Sequence, residues 1–77
     1  MDKQNIITVV EELLEFDPGE LKGDELLTDV AWDSISFMGF IAISDEKFGF
    51  VISPNDLTQC QSVNDLVNLV QSQSPKN

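Results

Sequence analysis

The sequence predicts an all-α fold: a small four-helix bundle, three longer helices and one short one, with a long loop between the first two. Three observations predict it. Apolar residues recur at helical spacing in three separate stretches, helix-capping residues stand where those stretches begin, and no β-alternation of useful length occurs. The chain has 77 residues, so it forms one domain, taken as residues 1–73, with 74–77 as a disordered polar tail. At 42% hydrophobic residues it is too apolar for a disordered chain, yet too short for an enclosed active site of ordinary size.

The first helix follows from Ile6, Val9, Val10, Leu13 and Phe16 or Leu14, with Asp2 as its N-cap. Asp17-Pro18-Gly19-Glu20 ends it, because proline biases the residue before it away from helical angles. The stretch from Glu20 to Trp32 reads as a long ordered loop pinned to the core by Leu21, Leu26, Leu27 and Val30. A loop of that length in so small a domain is usually functional. The second helix starts at Asp33, an aspartate N-cap, and ends at Gly49. Its core stripe is Phe37, Phe40, Ile41, Ser44 and Phe48, which leaves Ser34 in the first turn toward solvent. Ile35, Gly39, Ala42, Ile43 and Glu46 fall on the outer side, an unusually apolar exposed face. Ser53-Pro54-Asn55-Asp56 opens the short third helix, and Ser62-Val63-Asn64-Asp65 repeats the capping pattern for the last, whose stripe is Val63, Leu66, Val67 and Val70.

Autonomous catalysis is not supported. A nucleophilic serine needs a base within hydrogen-bond reach, and the chain has no histidine and only four lysines, all scattered. A carboxylate that caps a helix, as Asp33 would, is a weak base because its lone pairs are engaged. No phosphate-cradling glycine loop and no EF-hand spacing occur, and one cysteine, Cys60, allows neither an internal disulfide nor a zinc site. Cys60 reads as a small buried residue, and Glu11-Glu12 as a solvated helix face. The net charge of -10 repels nucleic acid and anionic membranes and favours basic protein surfaces. The apolar run near the start is too short and too acidic for a signal peptide or membrane span, so a soluble, cytoplasmic monomer is expected.

Asp33-Ser34-Ile35, opening a helix after a leucine-pinned loop, resembles the acyl carrier protein family. The likeness runs from about Asn5 to Ser72 and takes in Asp45-Glu46-Lys47-Phe48-Gly49 at the end of the second helix, and the link from Phe50 to Ser53. The resemblance implies a covalent 4′-phosphopantetheine cofactor, transferred from coenzyme A to Ser34 by a separate phosphopantetheinyl transferase that Asp33 helps to engage. It implies a carrier of acyl thioesters between enzymes of fatty-acid, polyketide or related biosynthesis. The expected partners are acyl-ligases, acyltransferases or ketosynthase-type enzymes with basic surfaces, met through Ile35, Met38, Gly39, Ala42, Asp45 and Glu46. No metal-binding or catalytic residue is implied.

The sequence departs from the family pattern at Ala31, where glycine is usual, and at Ser36 and Gly39, where acids are common. The departures thin the acidic docking face to Asp45 and Glu46, which suggests a specialised carrier with a more apolar contact. Trp32 reads as a plug over the helix end. Phe37, Phe40 and Phe48 crowd the core stripe and suggest a short or polar cargo, while Ser44 leaves a small polar gap. Two other readings stay open: an aminoacyl or peptidyl carrier, and a small acidic interaction module without a prosthetic group.

Overall fold

The computed structural model describes residues 2–30 and 32–73. The expected tail at 74–77, and Ala31 at the glycine position, lie outside the described residues. The elements are α1 (Lys3–Leu14), a 3-10 turn (Leu27–Asp29), α2 (Ser34–Phe48), α3 (Pro54–Leu57) and α4 (Val63–Gln73). Helix α1 packs against both α2 and α4, and α3 against α4. The described residues are all-α, as the periodicity predicts.

Helix α1 begins where expected, with the Asp2 carboxylate accepting the Gln4 N–H at 3.3 Å. It stops earlier than the Asp17-Pro18 signal suggests. Glu15 takes a left-handed conformation at φ 63°. The Phe16 N–H then donates to the Glu11 carbonyl at 2.8 Å and the Glu15 N–H to the Glu12 carbonyl at 3.3 Å. That pair of bonds satisfies carbonyls the helix would otherwise leave open. Asp17 to Glu20 form a separate turn, closed by the Glu20 N–H on the Asp17 carbonyl at 3.1 Å.

Glu11 overturns the reading of a solvated acid pair. It is 2% exposed, and its Oε2 accepts the N–H groups of Gly19 and Leu21, each at 2.9 Å. The reason is tertiary: the chain doubles back over α1 and its turn amides need an acceptor there. Glu12, beside it, is exposed.

The long loop is pinned by Leu21, Leu27 and Val30, all buried, whereas Leu26 is 51% exposed. Leu26 turns outward because its backbone forms a β-bridge with Ser62, which fixes alternate residues to opposite sides. The Leu27 N–H donates to the Gln61 carbonyl, the Val63 N–H to the Glu25 carbonyl and the Asn64 N–H to the Gly23 carbonyl, at 2.7–2.9 Å. Gly23, at φ 121°, passes so close to α4 that a Cβ would stand 2.7 Å from Asn64 Oδ1, so only glycine suits it. Burial raises the Glu25 carboxyl pKa, but the N–H groups of Lys22 and Gly23 and the Lys22 charge outweigh it and hold the group below its ordinary value. The loop is thereby a hydrogen-bonded extension of the start of α4.

Ser53 stands at the N-cap of α3, but its hydroxyl makes no capping bond. Gln73 instead clips α3 to the far end of α4: its Nε2 donates to Asp56 Oδ2 at 2.6 Å and its Oε1 accepts the Ser53 N–H at 3.2 Å. The core joins Ile6, Ile7 and Val10 of α1 to Phe40 of α2, Ile52, Leu57, the loop anchors, and Val63, Leu66, Val67 and Val70 of α4.

Candidate functional site

Helix α2 presents the candidate site at its N-terminus. Asp33 is the N-cap, extended at φ -130°. Its Oδ1 accepts the Ser36 N–H at 2.9 Å and the Ser36 hydroxyl at 3.1 Å. These two bonds, the backbone one first, hold the Asp33 carboxyl below the usual aspartate range. Ser36, read from sequence as a missing acid, is therefore part of the cap. The signal was its spacing: a hydroxyl three residues beyond an N-cap aspartate reaches back to it.

Ser34, the first residue of α2, is exposed, as is Asp33. The hydroxyl thus stands at the positive end of a 15-residue helix, beside amides that have no intrahelical acceptor. An anionic substituent on Ser34 fits there: the helix end favours negative charge, and nothing buried has to move. The site holds a primary hydroxyl and a carboxylate already engaged as a cap. Such a hydroxyl can receive a group from another enzyme's chemistry.

Of the expected contact residues, α2 brings most onto one face. Ile35 is 80% and Met38 69% exposed, and Ala42, Asp45 and Glu46 are exposed beyond them. Gly39 is a correction. It is half-buried on the flank toward α1, and a Cβ there would lie 2.8 Å from Leu13 Cδ1. Its small size serves helix packing rather than an exposed outer surface. Ile43 likewise leaves the outer face and packs against the core. On the inner side Phe40 and Ser44 are fully buried, while Phe37, Ile41 and Phe48 are half-buried. The Ser44 hydroxyl has no hydrogen-bond partner.

The residues just before the motif line a groove that the sequence did not announce. Trp32 is half-buried, with its ring edge-on to Phe40 at a centroid distance of 5.8 Å, and its backbone N–H donates to the Leu27 carbonyl at 3.2 Å. It shields Phe40, as a plug would, and its other side faces an open groove of about 390 Å³ lined by Leu26, Leu27, Thr28, Trp32, Cys60 and Gln61. Cys60 is half-buried rather than fully enclosed. Its Sγ lies 3.8 Å from the Asp56 carbonyl, to which it donates. Burial first, then the charges of Asp65 and Asp56, pushes its thiol up to about 11.

The described residues contain no cluster of side chains suited to hold a metal ion and no helix long and apolar enough to cross a membrane. The family described as "Phosphopantetheine attachment site" matches residues 4–70. No curated protein and no solved structure matches the chain.

Proposed function

Because this chain belongs to the family of phosphopantetheine attachment domains, we propose that Ser34 is the attachment residue and that the protein shuttles acyl groups between biosynthetic enzymes. Domains of this family carry a covalent 4′-phosphopantetheine and are not themselves catalytic. When attached, the group supplies a terminal thiol that carries a carboxylic acid as a thioester. The observation that carries the assignment is the placement of Ser34, exposed at the first position of α2 behind a capping aspartate. Asp33 keeps the helix start rigid and its charge available to a transferase with a bound cation.

The carrier role implies contact with a phosphopantetheinyl transferase and with biosynthetic enzymes. The surface proposed for those contacts is the α2 face of Ile35, Met38 and Ala42, bounded by Asp45 and Glu46. Its apolar centre and acidic far end fit partners that offer an apolar patch with a basic rim. Fatty-acid, polyketide or a related biosynthesis is the proposed setting, in a cytoplasmic, monomeric protein. An aminoacyl or peptidyl cargo is the second reading, which the same serine and bundle would serve. The family match sets aside the interaction module without a prosthetic group.

The test is intact mass after incubation with coenzyme A, magnesium and a broad-specificity transferase, with Ser34→Ala alongside. One added phosphopantetheine on the native chain and none on the variant is expected. A folded native chain that gains nothing, while a control carrier is modified, would overturn the assignment. Acyl-ligases and aminoacyl-adenylating enzymes offered to the loaded chain then separate the two cargo classes.

A further inference from the structure

We propose that Met38 is a reversible oxidation site: a peroxide converts its thioether to the sulfoxide, and the sulfoxide weakens the docking of enzymes that act at Ser34. This rests on attachment at Ser34 and on the α2 contact face, and adds a redox control over both.

Exposure and position carry it. Met38 is 69% exposed and follows Ile35, which is 80% exposed; Ala42, one turn further on, is exposed as well. Met38 lies four residues after Ser34 in the same helix, hence on the same side and about 6 Å along the axis. An enzyme that reaches the Ser34 hydroxyl along this face therefore covers Met38. While reduced, the side chain is apolar and adapts to its partner. As the sulfoxide it is polar and chiral, and it no longer suits an apolar contact.

The step balances. A lone pair of the thioether sulfur attacks one oxygen of the peroxide, the O–O bond breaks and an S–O bond forms. With hydrogen peroxide the other oxygen leaves as water. The sulfur loses two electrons and the peroxide gains them. A neutral peroxide is the class of oxidant that this chain admits, because its net charge of -10 repels anionic ones.

The competing sulfur is Cys60, which is half-buried. Burial first, then the charges of Asp65 and Asp56, holds its thiol up to about 11. Only about one molecule in ten thousand then carries the reactive thiolate at neutral pH. Exposed Met38 is thus oxidised ahead of it.

The test treats the chain with hydrogen peroxide, removes the oxidant and maps the product by peptide mass, which separates Met38 from Met1 and Cys60. The treated chain is then offered to the transferase with coenzyme A and magnesium. One added oxygen at Met38, ahead of any at Cys60, is expected. The KM for the chain should rise roughly tenfold with kcat little changed, the loss expected when an interface forfeits one central apolar side chain. Methionine sulfoxide reductases of both epimer specificities should restore the mass and the KM. Met38→Leu cannot form a sulfoxide, so peroxide should leave its KM where it stood before treatment. Oxidation of Cys60 before Met38 would overturn the proposal. A KM that rises equally in Met38→Leu would assign the effect to another sulfur and overturn it too. Met38 sulfoxide with an unchanged KM would overturn the control of docking and leave attachment at Ser34 standing. An untreated chain that gains no phosphopantetheine, beside a control carrier that does, would overturn attachment and this proposal together.

Discussion

The starts of α2 and α4 are built from the same two residue types, three positions apart, in opposite order. At α4 the serine caps: the Ser62 hydroxyl accepts the Asp65 N–H at 3.2 Å, and Asp65 Oδ2 takes the Gln61 and Ser62 N–H groups in return. At α2 the aspartate caps, and Ser36 donates to it through both N–H and hydroxyl. The α4 start is woven into the long loop by the bonds from Leu27, Val63 and Asn64, and Val63 is fully buried. The α2 start is bonded within itself, and Asp33, Ser34 and Ile35 are exposed. The capping chemistry is shared; the surroundings make one start structural and leave the other open to an approaching enzyme.

Exchanging the two serines tests that contrast most severely. Ser34→Ala should lose all prosthetic-group loading and keep its stability within about 0.5 kcal/mol, as surface substitutions do. Ser62→Ala should load normally by intact mass and lose about 1 kcal/mol in urea unfolding, the usual worth of a serine N-cap. If Ser62→Ala also abolished loading while folded, the division between the two starts would fail.

Glu11 extends the comparison to α1, where one of two adjacent acids is woven in. Glu11→Ala leaves the Leu21 and Gly19 amides without their acceptor, at a cost of about 2–3 kcal/mol. Glu12→Ala should change stability by less than about 0.5 kcal/mol. Equal urea midpoints for the two variants would mean that the turn finds another acceptor.

Acid sharpens it further. Asp33 and Glu25 both have folded pKa values below their ordinary ones of 3.8 and 4.5. A depressed folded pKa contributes stability that is present above the unfolded value and is lost as pH falls through the folded value. Stability should therefore decline as pH drops below the two ordinary values, and Asp33→Asn should flatten part of that decline. Identical acid titrations of thermal stability for the two proteins would count against the Asp33 bonds.

The smallest expected effect is at Glu15. Glycine there relieves the left-handed strain but enlarges the unfolded ensemble, for a net gain of roughly 0.5 kcal/mol. A loss on Glu15→Gly would show that the side chain makes a contact worth more than the strain.

What sequence could reveal divides along the same line. Periodicity and caps located α2, α4 and exposed Ser34, because those signals depend on residues three or four apart. Burial of Glu11, exposure of Leu26 and the inward flank of Gly39 each depend on a partner from another element. Glu11 answers a turn eight to ten residues away, and Leu26 answers Ser62, nearly half the chain away. Gly39 was misplaced because the outer and α1-facing sides of α2 are adjacent, and helical spacing does not say where a neighbouring helix lies. The groove at Trp32 was invisible for the same reason: its walls come from the loop and the α3–α4 turn.

The hydrogen bonds between the loop and α4 also set how the molecule can deform. Among the described residues, the backbone bonds that join separate elements tie the loop to the start of α4, while those of α2 lie between Asp33 and Gly49. In mechanical terms the molecule is a braced chassis with a sliding rod. Displacing the rod that bears Ser34 strains side-chain packing, which is non-directional, and breaks no backbone bond to the chassis. Compliance is thus concentrated beneath Ser34, the residue proposed for attachment.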